Sequence, residues 1–322
     1  MANIADVAGA TRDSIGRYFS LVSFIPSALL VAYAFILLSS GVLHHPPDPQ
    51  SVVHATSHLS LAEVAALLVL SVGLGLVLHP LQFAMVQLLE GYWGTGGIAQ
   101  QARATRIWWH WRRLVALGER AGYYDNQLEQ LPEGGDSQEQ IALFSRRDEA
   151  DRLSAEQPTE LHLVMPTRLG NVLRYYESKA GIPYGLDAIQ VMPYLARVAS
   201  ADDMDYVNDQ RSNLDLAVRL SLVSAIAFAF SLIFLWRYGL WLLVSLIPYS
   251  LALLSYRGAV IAAGAYGQAF SAIIALNRFA LYERLHLPLP QNMWEERYRN
   301  STLSSVLEFE GDKSQDYKHP PP

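Results

Sequence analysis

Four of the nine histidines fall between positions 44 and 58: His44, His45, His54 and His58. Imidazole nitrogens ligate divalent transition metals, and His54 and His58 stand four apart, so a helix would present both on one face. Asp48 would complete such a ligand set. No closed signature such as H-E-x-x-H accompanies them, and a short polar loop can hold these residues without binding anything. The same imidazoles titrate near neutrality, so a pH-sensing loop is the other chemistry this spacing offers.

A second set of polar residues lies in an apolar stretch. His79, Gln82 and Gln87 follow Gly73, Gly75 and Pro80. Polar side chains at membrane depth face a bundle interior or an aqueous path. These three are therefore the candidates to line a pore, and a hydrogen bond across the bundle is the competing use. Asp215 and Arg219 stand one helical turn apart at the start of another apolar stretch, where they can pair.

Small residues form a third pattern. Ser255, Ala259, Ala263, Gly267, Ser271 and Ala275 recur every four residues. Such a row lets helix backbones approach closely. Packing within one chain is one use. The other is a contact between copies, for which Ala259, Ala263, Gly267 and Ser271 are the expected residues.

Nothing else in the sequence points to catalysis. There is no P-loop, no G-x-G-x-x-G after a strand, no G-x-S-x-G and no kinase set. The chain is expected not to be an enzyme, and no cofactor is implied. It has no cysteine, which excludes disulfides, Cys-ligated zinc, iron–sulfur clusters and a thiol nucleophile. A formal net charge of −6 with no basic face argues against a nucleic-acid partner.

The elements that must position these residues are membrane helices. The 322 residues are 51% hydrophobic and only 17% charged, against about 25% charged in a soluble domain. A spanning helix needs roughly 20 mostly apolar residues, and four stretches qualify: 19–43, 59–89, 214–236 and 240–256. Pro80 is expected to kink the second, and Pro26 and Pro248 the first and fourth. The first stretch is too long for a cleaved leader and is followed by His and Pro instead of small residues.

Arginines set the orientation. Arg12 and Arg17 precede the first span, and the loop 44–58 has no Lys or Arg. Arg103, Arg106, Arg112, Arg113 and Arg120 follow the second, and Arg257, Arg278, Arg284, Arg297 and Arg299 follow the fourth. Both termini are thus expected in the cytoplasm of a plasma-membrane protein. Aromatics from Tyr18 to Tyr256 mark the interfaces. Residues 258–276 are apolar enough for a fifth span, but that crossing would put four arginines outside. One long helix from Leu240 to about Leu285 is the preferred reading, with 257–285 as a cytoplasmic stalk.

The resulting fold class is an all-α membrane protein: four transmembrane helices, a cytoplasmic N-terminus (1–18), a His-rich external loop (44–58), a helical cytoplasmic region (90–213) and a cytoplasmic tail (286–322). Trp108, Trp109 and Trp111 read as an interface belt with helix packing. Residues 123–160 carry ten acids against three arginines, with a turn at Pro132–Asp136. They read as a mobile acidic linker with a short helix at 138–155.

The stretches R-L-G-N-x-L-R-x-x-E (Arg168–Glu177), Y-G-L-D (Tyr184–Asp187), P-x-L (Pro193–Leu195) and D-x-x-x-R-L (Asp215–Leu220) resemble a family of bacterial multi-pass membrane proteins with no assigned activity. Tyr256-Arg257, Tyr266-Gly267, Asn277-Arg278-Phe279 and Leu281-Tyr282 fit the same pattern. The resemblance covers roughly 165–290 and implies the topology but no chemistry. Four spans with a large insert between the second and third are also similar, at the level of layout alone, to bestrophin-type channels.

Two functions follow as expectations. One is a membrane scaffold or regulatory protein whose cytoplasmic helices bind a partner protein; the acidic linker and the Pro-rich end Lys318–Pro322 suit binding segments. The other is a homo-oligomeric ion channel lined by the second span.

Overall fold

The computed structural model describes residues 19–131, 137–307 and Tyr317. Arg12, Arg17, Tyr18, the Pro132–Asp136 turn and the Lys318–Pro322 end lie outside the described residues. Every element among the described residues is helical. In chain order the α-helices are α1 (Ile25–Ser39), α2 (Pro49–Ser57), α3 (Leu61–Leu78), α4 (Gln82–Glu90), α5 (Gly97–Glu129), α6 (Ser137–Ser154), α7 (Arg168–Lys179), α8 (Ala188–Val198), α9 (Ala201–Leu235), α10 (Leu246–Arg284) and α11 (Met293–Leu307). They form two compact units, residues 19–87 with 208–262 and residues 88–207 with 263–307.

The first unit contains the apolar helices. Four helical stretches are long and apolar enough to cross a membrane: Val22–Ser39, Leu61–Leu78, Ala201–Leu235 and Gly239–Arg284. α3 starts in a capping box, with the Ser60 hydroxyl accepting from Glu63 N and the Glu63 carboxylate accepting from Ser60 N. It then presents Leu61, Leu68, Val69, Leu70, Leu76 and Val77 to its surroundings. A continuous apolar surface of this kind belongs in hydrocarbon.

Polar groups lie inside instead. Ser27, Ser71 and Ser231 are buried, and each donates its hydroxyl to the carbonyl four residues earlier on its own helix. Tyr33 and Ser231 share a hydroxyl–hydroxyl hydrogen bond. Around them Leu30, Val223 and Ala227 pack with Tyr33, Leu74 and Leu78.

The second unit has an ordinary apolar core. Val191 and Leu195 of α8, Ile273, Ile274, Leu281 and Tyr282 of α10 and Leu303 of α11 are buried together. α8 is strongly amphipathic and begins at Asp187, whose carboxylate accepts from Ile189 N and Gln190 N.

Several expectations change here. The second span is not one helix over 59–89: it stops at Leu78 and restarts at Gln82. Residues 123–160 are not a mobile linker among the described residues. α5 runs to Glu129 and α6 covers Ser137–Ser154, and the two pack on one another with Arg147 and Asp125 2.6 Å apart. Glu129, Glu139, Asp148, Glu149 and Asp151 are exposed on these two helices. The tail holds a folded helix, α11, because Glu296, Asn300 and Leu303 are buried against its neighbours. The expectation of one long helix through the fourth apolar stretch and the segment after it holds: it runs Leu246–Arg284 and is entered through a tight 3-10 turn at Gly239–Ser245. Its 39 residues extend about 58 Å at 1.5 Å each.

The row of small residues is used inside the chain. Ala259, Ala263 and Gly267 are buried, and Ser271 is half-buried with its hydroxyl bonded to the Gly267 carbonyl. A Cβ on Gly267 would fall 2.1 Å from the Tyr176 ring. At Gly267 this face is taken up by Tyr176 of α7.

Candidate functional site

Pro80 is the origin of the most connected polar site. It has no N–H and cannot continue the ladder of helix hydrogen bonds. The chain turns through His79–Leu81 with tightened bonds, Leu81 N to Leu78 O and Gln82 N to His79 O, both 3.2 Å. Gln82, the first residue of α4, is buried. Its amide nitrogen donates to Asp215, to the backbone oxygen at 3.1 Å and to Oδ1 at 3.2 Å. Its amide oxygen accepts from Arg219 Nε at 2.9 Å. Arg219 Nη2 in turn donates to the Leu78 carbonyl at 3.3 Å.

The chemistry is self-consistent. A primary amide turns a donor to the carboxylate and an acceptor to the guanidinium. A carbonyl loosened by a helix break must find a donor where no water is present. Arg219, with none of its surface exposed, supplies one. The break, the amide and the charged residues thus form a single structural joint.

The three residues expected to line a pore have different surroundings. Gln82 is directed at Asp215 and Arg219. His79 is exposed, with Nδ1 3.4 Å from the Ser23 hydroxyl. Gln87 is half-buried in α4.

The histidine loop is not gathered into one site. Asp48 caps α2, accepting from Gln50 N and Ser51 N and from the Ser51 hydroxyl. These bonds hold its carboxyl below the usual range, the Ser51 hydroxyl contributing most. His45 Nδ1 lies 2.8 Å from the Pro46 carbonyl. His54 and His58 do share a helix face, with ring centroids 4.5 Å apart. Among the described residues no group of three or more His, Asp or Glu side chains is arranged to hold a metal.

A second titratable site lies in the second unit, where residue types and spacing carry little signal. Thr167 caps α7: its hydroxyl accepts from Gly170 N at 3.0 Å and donates to the Glu90 carbonyl at 2.9 Å. Gly170 permits this approach, since a Cβ there would sit 2.2 Å from the Glu90 carbonyl oxygen. Burial, reinforced by Glu177, raises the Glu90 carboxyl to about 7, with Arg174 pulling the other way. Burial also raises Glu177, again against Arg174. Arg174 lies 3.8 Å from the Glu177 carboxylate and donates to the Tyr92 hydroxyl at 2.7 Å. Two carboxyls and one guanidinium thus share a half-buried site in which burial favours the protonated form of both acids.

The residues that carry the sequence resemblance have architectural uses. Asn171 is fully buried and pairs with Met165 in both directions, accepting from its N–H at 2.7 Å and donating to its carbonyl at 3.2 Å. Tyr176 donates to Glu156 at 2.8 Å, and burial pushes its hydroxyl up to about 12. Gly185 takes a positive φ of 74° against the Arg297 backbone.

The second unit also presents an aromatic surface that sequence reasoning missed. Trp294 is 78% exposed and stacks on Tyr298, ring planes 7° apart, with Met293 and Leu289 exposed nearby in sequence. Two side-chain contacts anchor α11 beneath them. Glu296 binds Arg278 at 2.6 Å, and Asn300 accepts from the buried Tyr282 hydroxyl at 2.6 Å. The i, i+4 spacing of Trp294 and Tyr298 was the available signal.

No known protein family, curated protein or solved structure matches this chain. The two units and their sites therefore stand as the basis for a functional reading. They define an all-helical protein with four helices apolar enough for a membrane.

Proposed function

We propose that this chain is an integral membrane scaffold or regulatory protein that performs no catalysis. Its helical region outside the spans binds a partner protein. The observation that carries this reading is the Gln82 joint. Gln82, one of the three residues expected to line a conducting path, is engaged with Asp215 and Arg219 inside a single chain, as in a packed bundle. The exposed Trp294–Tyr298 pair supports the other half, because aromatic anchors on an ordered helix are the commonest hot spots of protein interfaces.

On this reading both termini and the second unit lie on the cytoplasmic side, which the arginine distribution supports. A bacterial plasma membrane is part of the proposal, on the resemblance of residues 165–290.

Light scattering of the purified protein, corrected for bound detergent, tests the reading. A monomer without conductance after reconstitution is the expected result. A defined oligomer that conducts ions would replace it with the channel. Because the chain has no cysteine, orientation can be read with single replacements. Ser301→Cys should react with an impermeant maleimide only after the cells are opened, and Ser51→Cys in intact cells stripped of any outer membrane.

A further inference from the structure

The helix α5 combines a tryptophan stripe with a row of arginines. Three of the chain's seven tryptophans, Trp108, Trp109 and Trp111, fall in one helical turn. Between Ile98 and Gly122 there are five arginines and a single acid, Glu119, in a chain whose net charge is −6. Helical geometry sorts these residues. At 100° per residue, Ile98, Thr105, Trp109, Arg112, Ala116 and Tyr123 share one face, and all six are exposed. Trp108 and Val115 border it and are exposed as well.

Arg106, Arg113 and Arg120 recur every seven residues along the opposite border and are exposed too. The far side, with Ile107, Trp111, Leu114 and Leu117, is half-buried or buried. The outer face is therefore neither a core face nor an ordinary solvated one. Ile98 is 87% and Trp109 62% exposed, and the two adjacent tryptophans meet edge to face at 5.5 Å. The Arg112 guanidinium lies 4.8 Å from the Trp108 ring centre, an arrangement that keeps charge and indole at the same level.

We propose that this face of α5 lies on an anionic membrane surface, with Trp108, Trp109 and Ile98 in the headgroup layer and Arg106, Arg112, Arg113 and Arg120 on lipid phosphates. A helix with arginines beside a tryptophan face and low overall hydrophobicity is the form that lies in the interface plane. The local excess of positive charge complements anionic lipid. The chain also keeps the helix within reach. α4 ends at Glu90 and α5 begins at Gly97, and a connector of that length spans at most about 25 Å. The face from Ile98 to Tyr123 is about 37 Å long, enough to order the start of the second unit against the bilayer. The inference needs the membrane placement of the first unit and not the partner-binding role proposed above.

The test uses the full chain and its lack of cysteine. Ala116→Cys, on the proposed lipid face, carries a nitroxide label in vesicles of phosphatidylcholine and phosphatidylglycerol in equal parts. Glu149→Cys, exposed on α6, gives the aqueous reference. Collision with oxygen and with a water-soluble nickel chelate reports depth. The label at 116 should favour oxygen in anionic vesicles. It should shift toward nickel in pure phosphatidylcholine, and also when Arg106, Arg113 and Arg120 are all changed to Gln. Nickel preference in both lipids would overturn the proposal. So would oxygen preference that ignores both lipid charge and the arginines. A label shielded from both quenchers would overturn it as well, since a protein would then cover the face. The comparison of two lipids needs no arginine variant and stands if that variant fails to fold.

Discussion

The two units are built on opposite rules. The first keeps serines, Gln82, Asp215 and Arg219 inside and turns leucines and valines outward. The second buries Val191, Leu195, Ile273, Ile274 and Leu281 together in an apolar core. The difference teaches where the specificity of each resides. Apolar packing in the first unit gains little over contact with lipid tails, so hydrogen bonds and close backbone approach must fix its geometry. In the second, exclusion of water from the apolar core supplies the driving force, and polar groups such as Asn171 fix local turns.

The sharpest way to break the first unit is to unpair its joint. Arg219→Leu strips the Gln82 amide oxygen and the Leu78 carbonyl of their donor and leaves buried Asp215 without the positive charge on the far side of Gln82, and should cost about 3–5 kcal/mol. The loss is read as a lower unfolding midpoint in detergent, followed by the monodisperse fraction. Changing Asp215 and Arg219 to Leu together should recover most of that loss, because no lone charge then remains. A double variant as unstable as the single one would show that the joint does more than pair charges.

The second unit should break by crowding. Gly170→Ala drives a methyl group into the Glu90 carbonyl and should destabilise by about 1–3 kcal/mol. Gly118→Ala, in mid-helix with nothing within 4 Å of its added Cβ, should instead stabilise by up to about 1 kcal/mol. Opposite signs from two helical glycines are the expected outcome in urea unfolding.

A smaller loss separates the helix starts. Ser60→Ala removes the capping box of α3 and should cost about 1 kcal/mol, seen as a slightly lower melting midpoint.

The two units also differ in their response to pH. The folded Glu90 carboxyl is raised from an ordinary value near 4.5 to about 7. The folded state then holds more protons than the unfolded state between those values, so stability falls as pH rises through that window and levels off above it. Thermal midpoints from pH 4.5 to 8 should show this decline, and Glu90→Gln should flatten it. Glu177, shifted in the same direction, should leave a residual slope.

Much of the first unit was legible because hydrocarbon imposes a length and a composition. Four runs of apolar residues are visible without any contact being known. Pro80 announced a disturbance in the second run, but a proline does not say which side chain will meet the loosened carbonyl. The second unit was less legible. The acids of 123–160 read as a linker because solvated helix faces and unstructured segments share a composition. α11 read as tail because its burial depends on Asn300 meeting Tyr282, far away in sequence.

By itself, the sequence determined the helical class, the apolar stretches, the arginine asymmetry and the exclusion of thiol chemistry. These are local or additive properties, fixed by residue type and spacing. The tertiary structure decided that Gln82 joins Asp215 to Arg219, that Gly267 seats Tyr176 and that the tryptophans of α5 face outward. Each depends on which helix faces meet across long stretches of chain, and periodicity along one helix specifies a face without naming its neighbour.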